Sequence, residues 1–88
     1  MFDWNDLRHF LAVARTGSTL AAGHALRVSQ TTVARRIAAL EQALGVVLFE
    51  RRQSGYALTP AGEALRAHAE AVEAAASGFA DAAAKQDR

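Results

Sequence analysis

Apolar positions recur along most of this chain with the spacing of one helical face. Between Asn5 and about Arg15, Leu7, Phe10, Leu11 and Ala14 fall at i, i+3, i+4 and i+7, the stripe of an amphipathic helix. Asp3 or Asn5 can cap its start, and Gly17 ends it. A second, shorter helix is expected over Thr19–Leu26 with Ser18 as its N-cap. Its side chains are small (Ala21, Ala22, Gly23, Ala25), which lets another helix come close. Arg27-Val28-Ser29 breaks it.

A third helix runs from Gln30 to about Leu44, capped by Ser29 and stopped by Gly45. With Val33 at 0° and an advance of about 100° per residue, Ile37, Leu40 and Leu44 fall within about 40° of it and form the buried stripe. Thr31, Arg35, Ala38 and Gln42 lie nearly opposite, flanked by Thr32, Ala34 and Ala39, while Gln30 and Arg36 sit nearer the core border. A solvated helix face is ordinarily rich in Glu and Lys. This one carries Thr, Arg and Ala, with Glu41 as its single acid.

The pattern then changes. "VVLFERRQSGYALT" has β-branched and aromatic residues on either side of Gln53-Ser54-Gly55, the pattern of a small hairpin with a polar tip. A last helix follows, with Thr59 at its N-cap and Pro60 at its first position. Leu58, Leu65, Val72 and Phe79 recur every seven residues, with Ala61, His68, Ala75 and Ala82 between them. A helix this long cannot bury such a seam in a domain of this size, so it calls for a second helix, best supplied by another copy of the chain. The alternative is an alanine-rich tail that is helical by propensity alone. The regular seam favours a homodimer through helix 59–84, with Leu65, Val72 and Phe79 at the contact. Ser77-Gly78 is its weak point.

At 88 residues the chain makes one small core. The absence of cysteine excludes a disulfide framework, a cysteine zinc site and a thiol nucleophile, and fits a reducing cytoplasm. No apolar run is long enough for a membrane span. No nucleophile–base set, glycine-rich phosphate loop or paired acids point to an enzyme, and no cofactor is expected. His9, His24 and His68 share no ligand spacing and are expected at the surface or an interface. The net charge of +1 hides an asymmetry. Residues 1–66 hold eight Arg against five acids, and five of those arginines lie between 27 and 52. Residues 67–88 hold two basic residues against four acids. The positive charge therefore sits in the compact part, and it is arginine, which reads phosphate and guanine better than lysine does.

Two short helices joined by a three-residue turn, the second exposing donors near its N-terminus, is the arrangement of a helix-turn-helix. Ala22 and Gly23 supply the close crossing, Val28 is the expected apolar plug of the turn, and Val33 and Ile37 face back. Ala34, Ala38 and Ala39 keep the outer face lean enough for a groove about 12 Å wide. The hairpin would act as a wing, placing Arg51, Arg52, Gln53 and Ser54 near backbone or minor groove. A salt bridge to Glu50 or Glu63 is the structural alternative for Arg51.

In this setting the segment from His9 to Leu65 resembles the N-terminal DNA-binding domain of LysR-type transcriptional regulators. The features that carry the likeness are Phe10, Val13, Gly17-Ser18, Ala21-Ala22, Leu26, Val28-Ser29-Gln30, Val33, Arg35, Ile37, Leu40-Glu41, Leu44-Gly45, Leu48-Phe49, Arg51, Leu58-Thr59 and Ala61-Gly62. The resemblance implies a mainly α fold, a winged helix-turn-helix over residues 1–58 with a linker and dimerisation helix over 59–88. It further implies a dimer that reads a pseudo-palindromic site on double-stranded DNA. The family normally continues into a two-lobed effector-binding domain. None lies within these residues, so the chain is expected to stop in or just after the linker helix, any small-molecule effector belonging to the missing part.

The departures are local. Where the family commonly has Ser-Gln-Pro-Ala-Val-Ser-Arg, this chain has Ser29-Gln30-Thr31-Thr32-Val33-Ala34-Arg35. Thr31 restores an N–H, Ala34 lacks a hydroxyl that often touches phosphate, Gly23 should loosen the second helix slightly, and Arg36 adds charge. Gln30 and Arg35 match reading positions, and Arg35 also lies on the outer meridian. They can pair with adenine and guanine edges respectively. Thr31 and Thr32 are placed against a thymine methyl or a phosphate. Arg36 is assigned to phosphate, with a snorkelling surface arginine as the alternative. Ser29 caps the helix beside them. The rival function is a winged-helix module that binds protein and not DNA, whose outer helix face would be acidic or apolar.

Overall fold

The computed structural model describes residues 1–86 as four helices and a two-stranded hairpin: α1 (Trp4–Thr16), α2 (Thr19–Leu26), α3 (Gln30–Leu44), β1 (Phe49–Arg52), β2 (Gly55–Leu58) and α4 (Pro60–Ala84). This is the mainly α winged helix-turn-helix that the pattern predicts. Asp87 and Arg88, the end of the expected 59–88 segment, lie outside the described residues. Each helix starts where a side chain can serve an unpaired backbone N–H. Asp3 accepts from Asn5 at 2.8 Å, Ser18 from Ala21 at 2.8 Å, Ser29 from Thr32 at 3.0 Å and Thr59 from Gly62 at 3.0 Å. Of the two caps open for α1, Asp3 is the one used. Gly17 (φ +78°) and Gly45 (φ +71°) close α1 and α3 in the left-handed conformation. Arg27 (φ +61°) takes that conformation at the end of α2 although it bears a side chain.

The core gathers Leu7, Phe10, Leu11 and Val13 of α1, Ala22 of α2, Val33, Ile37 and Leu40 of α3, then Leu48, Phe49 and Ala69. Phe10 and Phe49 meet at 5.4 Å between ring centroids. Leu44, expected as the fourth residue of the α3 stripe, is 39% exposed, because it lies at the rim of a groove that no described residue closes.

The turn between α2 and α3 differs from expectation. Val28 does not plug it; the side chain is exposed. The turn is packed by its own backbone. Val28 N–H donates to the Gly23 carbonyl at 2.9 Å, and a Cβ on Gly23 would stand 2.7 Å from the Val28 carbonyl oxygen. Gly23 is thus a contact requirement of the turn as well as a weak helix former.

The hairpin pairs antiparallel from Phe49 opposite Leu58 to Arg52 opposite Gly55, turning at Gln53-Ser54. Three bonds fasten it. Glu41 of α3 accepts the N–H groups of Leu48 (2.7 Å) and Phe49 (3.3 Å), and Tyr56 N–H donates to the Gly17 carbonyl at 2.9 Å. The Thr59 hydroxyl donates to the Val47 carbonyl at 2.6 Å, which fixes where α4 leaves the wing. Helix α4 runs unbroken through Ser77-Gly78. Its first turns pack through Gly62 and Ala69, after which Val72 and Phe79 stand in solvent. No described helix is long and apolar enough to cross a membrane.

Candidate nucleic-acid interface

The residues singled out above lie at the start and in the first two turns of α3, exposed or half-buried, and their partners differ. Ser29 accepts the Thr32 N–H and donates its hydroxyl to Thr32 Oγ1 at 2.9 Å, so both are committed to the helix start. Thr31 is exposed. Gln30 Nε2 donates to Thr19 Oγ1 at 3.1 Å, and Thr19 is buried. This bond orients the amide and leaves its oxygen free as an acceptor. Arg35 is exposed and makes no ion pair or hydrogen bond among the described residues.

Arg36 is not the free clamp that its place on the helical wheel suggested. Its guanidinium reaches back 3.4 Å to Asp6, a carboxylate buried in the first turn of α1. A buried acid needs a partner, and Arg36 is that partner. Neither Asp6 nor its neighbour His9 was marked by the sequence pattern. His9 was expected at a surface, yet it is 3% exposed, with Nδ1 2.7 Å from the Asn5 carbonyl. His24 and His68 are exposed. The only forewarning was that Asp6 and His9 flank Leu7 and Phe10, so part of their helix face had to turn inward.

On the wing, the Arg51 guanidinium lies 5.5 Å from the centroid of the Tyr56 ring, a cation–π contact that holds the side chain without neutralising it. The acids considered for Arg51 are engaged elsewhere. Glu50 takes two donors from Arg52, at 2.8 and 3.2 Å, and Glu63 lies 3.8 Å from Arg66. Ser54 is exposed at the hairpin tip. Among the described residues the structure thus sorts these arginines into two without an acidic partner, Arg35 and Arg51, and two compensated ones, Arg36 and Arg52.

Leu65 and Val72 line an open apolar groove of about 350 Å³ with Leu44, Val46 and Phe2, at the far end of α3 from Arg35. Phe79, two turns beyond, is 78% exposed. Arg15 of α1 grips Glu73 of α4 with two bonds, at 2.7 and 3.0 Å. That bonding raises the Arg15 pKa and holds the Glu73 carboxyl below the ordinary carboxylate value.

A three-helix core, a tight turn before a lean arginine-bearing helix, and a two-stranded wing define a winged helix-turn-helix domain. The model for "Bacterial regulatory helix-turn-helix protein, lysR family" matches residues 4–63, and the chain belongs to that family. It is 52% identical over 62 residues to the HTH-type transcriptional regulator TfdS of Cupriavidus pinatubonensis, covering 70% of this chain and 21% of that protein. Among solved structures, the CbnR DNA-binding domain in complex with DNA superposes with a TM-score of 0.89 at 38% identity, covering 99% of this chain and all of that one. The BenM DNA-binding domain bound to benA site 1 DNA gives 0.89 at 26% identity, covering 96% of this chain and 94% of that one. The chain spans about a fifth of the length of the first full-length relatives it matches.

Proposed function

We propose that this domain binds double-stranded DNA sequence-specifically for a transcriptional regulator of the cytoplasm, as a homodimer on a pseudo-palindromic site. The observation that carries the reading is Arg35: an uncompensated guanidinium on the outer meridian of a helix whose neighbouring outward positions are Thr, Ala and Gln. Such a face fits a major groove and gives a protein partner little apolar area. The likeness to two DNA-binding domains solved on DNA supports it.

In this reading α3 lies in the major groove. Arg35 pairs with guanine O6 and N7. Gln30, with its amide nitrogen bonded to Thr19, offers its oxygen to an adenine or cytosine amino group. Thr31 and Thr32 meet a thymine methyl or a phosphate beside the Ser29 cap, and Arg36 adds positive charge on the flank. Arg51, Arg52 and Ser54 bring the wing to the backbone or minor groove. The dimer forms through α4, where Leu65, Val72 and Phe79 present the apolar seam. A small-molecule effector belongs to a further C-terminal domain of the regulator.

Selection of bound duplexes from a random pool tests the whole reading. Enrichment of two related half-sites at fixed spacing is expected. Retention of all duplexes alike, without enrichment, refutes sequence-specific binding.

A further inference from the structure

A second polar feature lies beside α3 and belongs to no role assigned above. Between α1 and the first two turns of α3 is an open cleft of about 360 Å³, lined by Asn5, Arg8 and His9 on one side and Thr32, Arg35 and Arg36 on the other. Three arginines line it, beside Leu26 and Val28, and the one ion pair any of them makes among the described residues is Arg36 with Asp6. Arg8 is exposed and donates only to the Asn5 side-chain oxygen, at 3.3 Å. The cleft therefore carries uncompensated positive charge.

His9 also lines the cleft. Its Nδ1 faces a carbonyl, which can only accept, so Nδ1 is the protonated nitrogen. Nε2 then carries a lone pair, is fully buried, and has no hydrogen-bond partner among the described residues. Buried acceptors of this kind are normally satisfied, often by a bridging water.

We propose that this cleft is a phosphate site, and that the phosphate is one of the DNA backbone flanking the groove that α3 enters. Arg8 supplies charge and donors to the phosphate oxygens, Arg35 at the cleft's edge stays on its base, and the Thr32 side of the cleft sets the phosphate at the first turn of α3. His9 Nε2 is closed off from solvent and takes no part in this contact. The consequence is that α1, outside the helix-turn-helix, is part of the DNA-binding surface and that Arg8 is a contact residue. This rests on the reading that α3 lies in the major groove.

The test is Arg8→Ala, Arg8→Lys and Arg35→Ala, titrated on matched and mismatched duplexes at several salt concentrations, with folding checked by thermal melting. Arg8→Ala is expected to bind every duplex about three- to tenfold more weakly and to flatten the slope of log K against log salt by about one. Arg8→Lys keeps the charge and is expected to recover the slope. If Arg35→Ala abolishes sequence discrimination while Arg8→Ala changes neither affinity nor slope, the groove reading stands and the phosphate site falls. If neither substitution has an effect, both fall. A second arm titrates inorganic phosphate into the DNA-free protein at constant ionic strength, following the Arg8 and Thr32 NMR signals. Saturable shifts there, with unchanged DNA binding in Arg8→Ala, would assign the cleft to free phosphate and overturn the backbone assignment.

Discussion

The Asp6 carboxylate, buried in the first turn of α1, lies 3.4 Å from the guanidinium of Arg36 in the second turn of α3. The pair ties α3 to the core and removes one positive charge from its flank. Asp6→Asn should release Arg36. Breaking a fully buried pair costs about 3–5 kcal/mol; with Arg36 still partly in solvent, about 1–2 kcal/mol of fold stability is expected. Non-specific DNA binding should strengthen, with a salt slope steeper by about one. Denaturant melts and titrations on random duplex measure the two effects. Weaker non-specific binding by the folded variant would show that the pair organises the DNA surface instead of restraining it.

The four site arginines should separate by their partners. Arg35→Ala is expected to cost about 1–3 kcal/mol of binding and to relax preference at one base position. Arg51→Ala should weaken all sites alike and flatten the salt slope, because Tyr56 holds that charge without cancelling it. Arg52→Ala should do less, since its charge is already matched by Glu50. Matched and mismatched duplexes at two salt concentrations distinguish these outcomes. A uniform loss across sequences for Arg35→Ala would remove it from base reading.

What could be read from the chain was what is local along it. Ser18, Ser29 and Thr59 as caps, Gly17 and Gly45 as stops, and the Val33-Ile37-Leu40 stripe each depend on residues within a few positions, and each is in place. The turn between strands was equally plain. The misses depend on how the chain folds back on itself, at a turn or across a long separation. Nothing near Arg36 marks Asp6, thirty residues earlier, as its partner. Gly23 reads as a poor helix former until the Val28 carbonyl is placed against it. Val28 reads as a plug because an apolar residue between two helices usually is one, and here the backbone takes that place. His9 required knowing how far α1 is rolled into the core.

Gly23 therefore yields a prediction opposite in sign to helix propensity. Gly→Ala within a helix ordinarily stabilises by about 1 kcal/mol. Here the added carbon would stand 2.7 Å from a backbone oxygen, so the turn must shift. Gly23→Ala is expected to destabilise the fold by about 1–3 kcal/mol net and to weaken DNA binding by displacing Ser29 and Gln30. An increase in melting temperature would show that the turn yields without cost.

The Arg15–Glu73 bond should make the seating of α4 depend on pH. The Glu73 carboxyl is held below its ordinary value, first by its hydrogen bond to Arg15. A depressed carboxyl pKa stabilises the docked state above the unfolded carboxylate value, and that contribution is lost as pH falls through the folded value. Acidification through the carboxylate range is expected to loosen α4 from α1, and Glu73→Gln to loosen it at neutral pH. Carboxyl NMR titration should show Glu73 as more acidic than an ordinary glutamate. Amide exchange at neutral pH should rise around residues 70–76 in Glu73→Gln. Unchanged exchange there would mean that Ala69 packing alone holds the helix.

The dimer proposal can be tested at Val72 and Phe79, which are 43% and 78% exposed on the side of α4 that continues the Leu65 seam. Phe79 lies beyond the part of α4 that touches the domain, so charging it should not disturb the monomer fold, whereas Val72 also lines the groove beside Leu44 and Val46. A Phe side chain contributes about 1.5–3 kcal/mol when fully buried, and a two-fold contact counts each substitution twice. Phe79→Glu and Val72→Glu should therefore each weaken self-association by at least tenfold, with melting of the monomer unchanged in Phe79→Glu. DNA affinity for a two-half-site duplex should fall towards that for a single half-site, while the salt slope per half-site stays the same. Sedimentation equilibrium over a hundredfold range of concentration measures the association. A wild-type chain that stays monomeric throughout, or a Phe79→Glu variant that dimerises as the wild type does, would remove α4 as the dimer contact.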